Sequence, residues 1–225
     1  MNLLAIETSS ETCSVALEVN GEVLECYEHA PRGHAALLLP WVEQLLAESG
    51  VALSSLDAIA FSRGPGSFTS LRIGIGVVQG LAWAADRPVV PVSSLAATAQ
   101  TAFSEGVGSA LVALDARMDE VFTGTFEANS DGIMIPVGDE RVCPPEDVQP
   151  AVRPETYGVG IGFDRYPALG ELSGSLAGVR SGIWPKATSV LTLAQAWLKT
   201  HEALPAEQAQ PVYLRDNVAK KKQDQ

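Results

Sequence analysis

LLAIETSSETCSVALEVNGEVLECY, residues 3–27, is the stretch that decides the fold. Leu3-Leu4-Ala5-Ile6 is an uncharged apolar run with the length of a buried strand. Ser14 to Val19 predicts a second strand, and Asn20-Gly21 is a two-residue hairpin turn into a third, Glu22 to Tyr27. The chain therefore opens with three consecutive antiparallel strands. Beyond them, Ala35, Leu38, Leu39, Val42, Leu45 and Leu46 recur at three- and four-residue spacing, which predicts a helix over 34–49. Pro40 should kink it by displacing a hydrogen bond of the preceding turn.

A fourth strand follows from Leu56 to Ser62, then a tight loop from Arg63 to Thr69 and a helix to Ala85 with Ser67 as N-cap. Val89 to Val92 reads as a fifth strand, and Ser93 or Ser94 caps a helix through Ala102. Three strands, helix, strand, helix, strand, helix is a complete α/β unit. The second half starts again with strands at Ala110–Ala116 and Glu120–Phe126, joined by Arg117-Met118-Asp119, and at Ile133–Val137 after the Asn129–Gly132 turn. After a proline-rich stretch, Tyr157 to Gly162 reads as a strand entering a glycine turn. Thr188 to Lys199 is an amphipathic helix capped by Thr188 or Ser189. The organisation expected is two α/β halves, 1–104 and 105–225, joined near 103–108. The second is smaller and more irregular, and its C-terminal segment packs back on the first.

The 225 residues suffice for one large domain or two small ones with a sizeable core. The N-terminus lacks a basic region and meets Glu7 too early for a secretory signal. The longest membrane-span candidate, Ile73 to Ala85, is short and broken by glycines and Gln79, so no membrane association is expected. Cys13, Cys26 and Cys143 are odd in number and widely spaced, as expected of reduced thiols in the cytoplasm. A formal net charge of -12 repels a polyanion and excludes a chain that grips tRNA unaided. The one basic cluster, Lys220-Lys221-Lys222, reads as a solvated tail.

Several segments together resemble one family. They are Leu3-Leu4-Ala5-Ile6-Glu7-Thr8-Ser9, Pro31-Arg32-Gly33-His34, Arg63-Gly64-Pro65-Gly66-Ser67-Phe68-Thr69-Ser70-Leu71-Arg72-Ile73-Gly74, Asp115 to Phe122, and Pro211-Val212-Tyr213-Leu214-Arg215. In this order they resemble the TsaB (YeaZ) family, from the first strand to Val218. The resemblance implies an actin-like fold built on the ribonuclease H-like (ASKHA) motif. It implies pairing with the paralogue TsaD, which holds the metal and transfers threonylcarbamoyl to adenosine 37 of tRNAs reading codons that begin with adenine. TsaE, an ATPase, and TsaC, which makes threonylcarbamoyl-adenylate, complete the pathway. It further implies self-association when the chain is alone, tRNA contact only through the complex, and no tightly bound cofactor. ATP or ADP at the junction with TsaD is the candidate nucleotide.

Glu7, Thr8 and Ser9 offer the acid and hydroxyls with which actin-like phosphotransferases manage metal and phosphate; otherwise they satisfy a turn. Gly64, Gly66 and Ser67 open a helix whose amides could hold an anion, but no lysine follows as in a P-loop. The bland reading is that these glycines permit an unusual backbone path. Arg32 and His34 are candidates for contact with the partner or its nucleotide. His29 and His34 are five apart and straddle Pro31 and Gly33, the wrong spacing for a helical metal pair. Gly158, Gly160 and Gly162 either admit an adenosine or form a strand-end turn. No GxSxG or HExxH motif supports a protease, so no catalytic and no metal-ligating residue is assigned.

The most telling element is the helix after the glycine loop. Gly76, Gly80 and Ala84 lie four apart and make a flat strip, while Ile73, Val77, Val78 and Leu81 leave the rest apolar. An all-round apolar helix must be covered on all sides. The expected partner face comprises Leu38, Trp41, Val42, Leu45, Ile73, Gly76, Val77 and Gly80; the alternative is ordinary core packing. The function expected is a non-catalytic scaffold paired with TsaD. Its rivals are an actin-like ATPase or kinase working in its own cleft, and a protease acting on TsaD.

Overall fold

The computed structural model describes residues 1–149 and 153–215; Lys220–Lys222 lie outside them. Strands β1 (Leu3–Glu7), β2 (Thr12–Val19) and β3 (Glu22–His29) form the expected antiparallel meander. Helix α1 (His34–Ser49) runs through Pro40 as one helix and ends on Gly50 in the left-handed conformation. Strand β4 (Ala58–Gly64), helix α2 (Phe68–Ala85), strand β5 (Val89–Ser93) and helix α3 (Ser94–Ser104) follow. Ser93 caps α3 by accepting the amides of Leu95 and Ala96. The first sheet has the order β3-β2-β1-β4-β5, with β4 and β5 parallel to β1.

The second half repeats this plan. It contains β6 (Ser109–Arg117), β7 (Glu120–Ala128), β8 (Met134–Pro136), β9 (Arg141–Cys143), β10 (Tyr157–Val159), α4 (Gly162–Arg165), β11 (Gly178–Arg180) and α5 (Ala187–Leu198). Its sheet order, β8-β7-β6-β10-β11, is antiparallel through β6 and parallel beyond it, matching the first sheet strand for strand. Two such units in tandem are the actin-like arrangement. Where the first unit has α1, the second has, among the described residues, the short strand β9 and a 3-10 turn at Pro145–Asp147.

The packing does not follow the order of the chain. Leu4, Ile6, Val15, Ile59 and Phe61 face α1 and α2 on one side of the first sheet. Leu3, Ala5, Ala60 and Val90 face Val190, Leu191 and Ala194 of α5 on the other. Helix α3 instead gives Leu95, Ala99 and Ala102 to the second sheet, against Ala110, Val112 and Phe126. Each half thus lends its last helix to the other's sheet, and the division at 104/105 in the chain is not one in the core. After α5 the chain returns to the first half, where Leu204 bridges to Val89 and the Val212 amide donates to Arg63 O at 2.8 Å.

Two expectations change. Thr188 and Ser189 lie inside α5 rather than capping it. The free amide of Ala187 donates to Ser14 Oγ at 3.0 Å, so the capping oxygen comes from β2 of the other half. The membrane-span candidate is longer than the run Ile73–Ala85, because α2 begins at Phe68, next to the Ser67 cap expected for it. At 18 residues it is the one helix among the described residues long and apolar enough, by length and composition, to cross a membrane. Here it lies on the first sheet through Leu71, Gly74, Ile75, Val78 and Ala82.

Candidate functional site

The carboxyl ends of the central strands of both sheets open into one cleft of about 790 Å³. Crevices at that place are where open α/β folds bind ligands. The first half lines it with Ser9–Glu11, Arg32, His34 and the loop 65–70. The second lines it with Leu114–Arg117, Ile161, Arg165 and Trp184, and the returning chain adds 212–215.

Glu7, the last residue of β1, is fully buried. Its Oε1 accepts both the amide and the hydroxyl of Ser9, each at 2.5 Å, while Oε2 has no partner among the described residues. Burial pushes its carboxyl up to about 7, against the pull of the two Ser9 bonds. Thr8 and Ser9 are buried as well, and Thr8 is pressed against Gly74 of α2. A Cβ on Gly66 would overlap the carbonyl of Ser9, which also accepts the Ser67 amide at 2.7 Å. Gly64 has φ +102 and would bring a Cβ to 3.0 Å from Val212 O. Both glycines therefore serve close backbone approach, which favours the path-permitting reading over an anion cradle. Ser67 caps α2 through Ser70, a long bond at 3.5 Å.

Arg32 is exposed at the cleft with φ 73. His34 is buried, and its Nε2 lies 3.1 Å from Thr12 O, so its ring is engaged within the chain. His29 points elsewhere, its ring 5.6 Å from that of Trp184. Gly160 (φ +97) and Gly162 would carry a Cβ to 2.6 and 2.7 Å from Ala113 O, so that segment is shaped by packing on β6. Of the segment 158–162 only Ile161 reaches the cleft.

Charged residues with no role assigned from sequence stand at the rim. Arg165 meets Glu11 at 2.6 Å and also Asp115, and Arg117 meets the same two carboxylates at 3.2 and 3.0 Å. Arg165 first, and then Arg117, hold Glu11 below its usual range. Asp115 is lowered too, its desolvation outweighed by bonds from the Arg117 amide, Tyr166 and Arg165. Arg215 pairs with Glu120. The segments holding Asp115, Arg117 and Arg215 were visible as family pattern, whereas nothing local marks Glu11 or Arg165.

The expected partner face divides in two. Leu38, Val42 and Leu45 are 0, 2 and 1% exposed and belong to the chain's own core, so they offer no surface. Trp41, Ile73 and Val77 are half-buried along the α1–α2 seam. Gly76 and Gly80 lie on the outer face of α2, and a Cβ at either would meet nothing within 4 Å. The same line of the helix carries Phe68 (45% exposed) and, at its far end, Trp83 (84% exposed). Arg72 lies 3.6 Å over the Phe68 ring and donates to Tyr213 Oη at 3.0 Å, tying the start of this face to the cleft wall.

The family described as TsaD, tRNA N6-adenosine threonylcarbamoyltransferase, matches residues 27–155. The tRNA threonylcarbamoyladenosine biosynthesis protein TsaB of Escherichia coli (strain K12) is 40% identical over 226 residues, covering 99% of this chain and 98% of its own length. The protein so described in Haemophilus influenzae is 38% identical over 99% of this chain and 97% of its own. Among solved structures, a Pseudomonas aeruginosa protein described as similar to peptidase YeaZ superposes with a TM-score of 0.89 at 46% identity, covering 95% of this chain and 99% of that one.

Proposed function

The chain belongs to the TsaB family of tRNA threonylcarbamoyladenosine biosynthesis proteins, and from that premise we propose that it is a non-catalytic scaffold that pairs with TsaD through the outer face of α2. One observation carries the reading: Gly76 and Gly80 face open space in the middle of an apolar helix. Glycine inside a helix costs about 0.5–1 kcal/mol relative to alanine. No neighbour among the described residues needs the missing side chains. A second helix lying close across the strip would need them, as would Trp83 a surface to cover it.

The same face serves self-association when TsaD is absent. Pairing then fixes the partner's active cleft, admits TsaE and tRNA to the assembly, and places ATP or ADP at the junction. With a net charge of -12, this chain reaches tRNA through its partner. The cleft chemistry supports a non-catalytic part, since the space at the loop glycines is filled by Ser9 and Val212.

The test is Gly80→Arg, which projects a charge into open space without disturbing the fold. Its affinity for TsaD should fall by roughly two orders of magnitude or more, and reconstituted threonylcarbamoylation should fall with it. Undiminished binding by a folded variant would show that the partner sits elsewhere. Tight, stoichiometric Mg²⁺-ATP binding by the isolated chain, lost in Glu7→Ala, would favour the ATPase alternative.

A further inference from the structure

The two halves meet at the base of the cleft and again at its rim, through different chemistry. At the base α3 lies on α5, where the buried hydroxyls of Thr101 and Ser189 are 2.8 Å apart. At the rim the contact is ionic. Glu11, in the β1–β2 turn of the first half, accepts from Arg165 at 2.6 Å and from Arg117 at 3.2 Å, both of the second half. Both arginines also hold Asp115, which further accepts the Arg117 amide at 2.7 Å and the Tyr166 hydroxyl at 2.8 Å. An isolated surface ion pair contributes little. Here each carboxylate meets both guanidiniums, and the Asp115 side chain is only 7% exposed, so the four act as a network.

The turn that brings Arg117 to this ring has an unusual backbone. Arg117, Met118 and Asp119 have φ of 61, 57 and 58, three consecutive non-glycine residues in the left-handed region. Each Cβ is crowded by its own carbonyl there, so single residues visit the region and runs of them are costly. The conformation is held from outside: Arg215 reaches Arg117 O at 3.3 Å and Met118 Sδ at 3.4 Å, and pairs with Glu120. The strained turn thus carries one of the two charged bridges described between Glu11 and the second half, the other being Arg165 of α4.

We propose that Glu11, Asp115, Arg117 and Arg165 form a clasp that holds the two halves closed over the cleft, with the left-handed turn Arg117–Asp119 as its sprung element. Breaking the ring lets the turn relax and the halves swing about the α3–α5 contact. The partly exposed ring is open to screening, because the Debye length falls from about 10 Å at 0.1 M salt to about 3 Å at 1 M.

Hydrogen exchange on the full-length chain tests this. Glu11→Gln and Arg165→Gln should each speed exchange several-fold in the cleft-lining segments 65–70 and 212–215, leaving β1 protected. The charge-swapped pair Glu11→Arg with Arg165→Glu should recover part of the protection, and 1 M salt should make the wild type resemble the single variants. Met118→Gly should raise the melting temperature more in the wild type than in Glu11→Gln, where the turn has already relaxed. Unchanged exchange in both cleft segments of the folded Glu11→Gln protein overturns the clasp. Equal gains from Met118→Gly in the two backgrounds overturn the sprung turn. Should Arg165→Gln not fold, Glu11→Gln, at a partly exposed turn, still decides the matter.

Discussion

Glu7 contributes to stability with an unfamiliar sign. Its carboxyl titrates near 7 in the folded chain and near 4.5 when unfolded, so between those values the folded state binds the extra proton. Its contribution is fully present below about pH 4.5 and is lost as pH rises through about 7. Glu7→Gln should flatten that slope and gain up to about 3 kcal/mol at pH 8, read from denaturant melts across pH 4 to 8. Stability of the wild type that rises over this window would show that Glu7 is ionised and solvated. Gly66 is the opposite case, since a methyl group there collides with the Ser9 carbonyl. Gly66→Ala should cost about 2–4 kcal/mol, and an unchanged melt would mean the turn is free to move. That residues 7–9 and 64–67 matter was legible in the sequence. That they touch one another was not, because the residues in contact are far apart in the chain, as in Ser67 to Ser9.

Among the elements, α2 is where the proposed association can be separated from folding. Gly76→Ala and Gly80→Ala fill open space in a helix interior, so each should stabilise the monomer by about 0.5–1 kcal/mol while weakening TsaD binding and self-association. Thermal melts paired with sedimentation read both, and tighter association would show that the strip is not the contact. Helical periodicity located α1 and α2 to within a few residues, because long apolar stripes and Ser67 are strong local signals. It could not say which side of α1 was core. Leu38, Val42 and Leu45 have the same spacing whether they face their own sheet or another chain, and β1, β2 and β4 cover them. The four-residue α4 and three-residue β9 and β11 were missed because segments so short carry no period.

For the whole molecule, the governing fact is the exchange of final helices between two units of like topology. Duplication was half-visible, as two runs of strands each followed by helices. The exchange was invisible, because α3 and α5 are both amphipathic and nothing in a stripe names the sheet it will meet. A fragment ending at residue 104 should therefore fail to fold. Without α5, the face of Leu3, Ala5, Ala60 and Val90 keeps only Ala97 of α3 as cover, and the fragment should bind a hydrophobic dye and lack sharp amide dispersion. A cooperative melt of that fragment would mean the first sheet needs no help from the second half. The exchange also sets a clock on synthesis. The first sheet is complete in sequence at Ser93, yet the helix that covers it ends at Leu198, about a hundred residues later. At about 5–20 residues per second, the nascent chain carries one largely uncovered apolar face for several seconds before α5 leaves the ribosome. The time at greatest risk of misassembly is thus written into the order of the helices, and it is then, rather than in the finished molecule, that this chain most needs a chaperone.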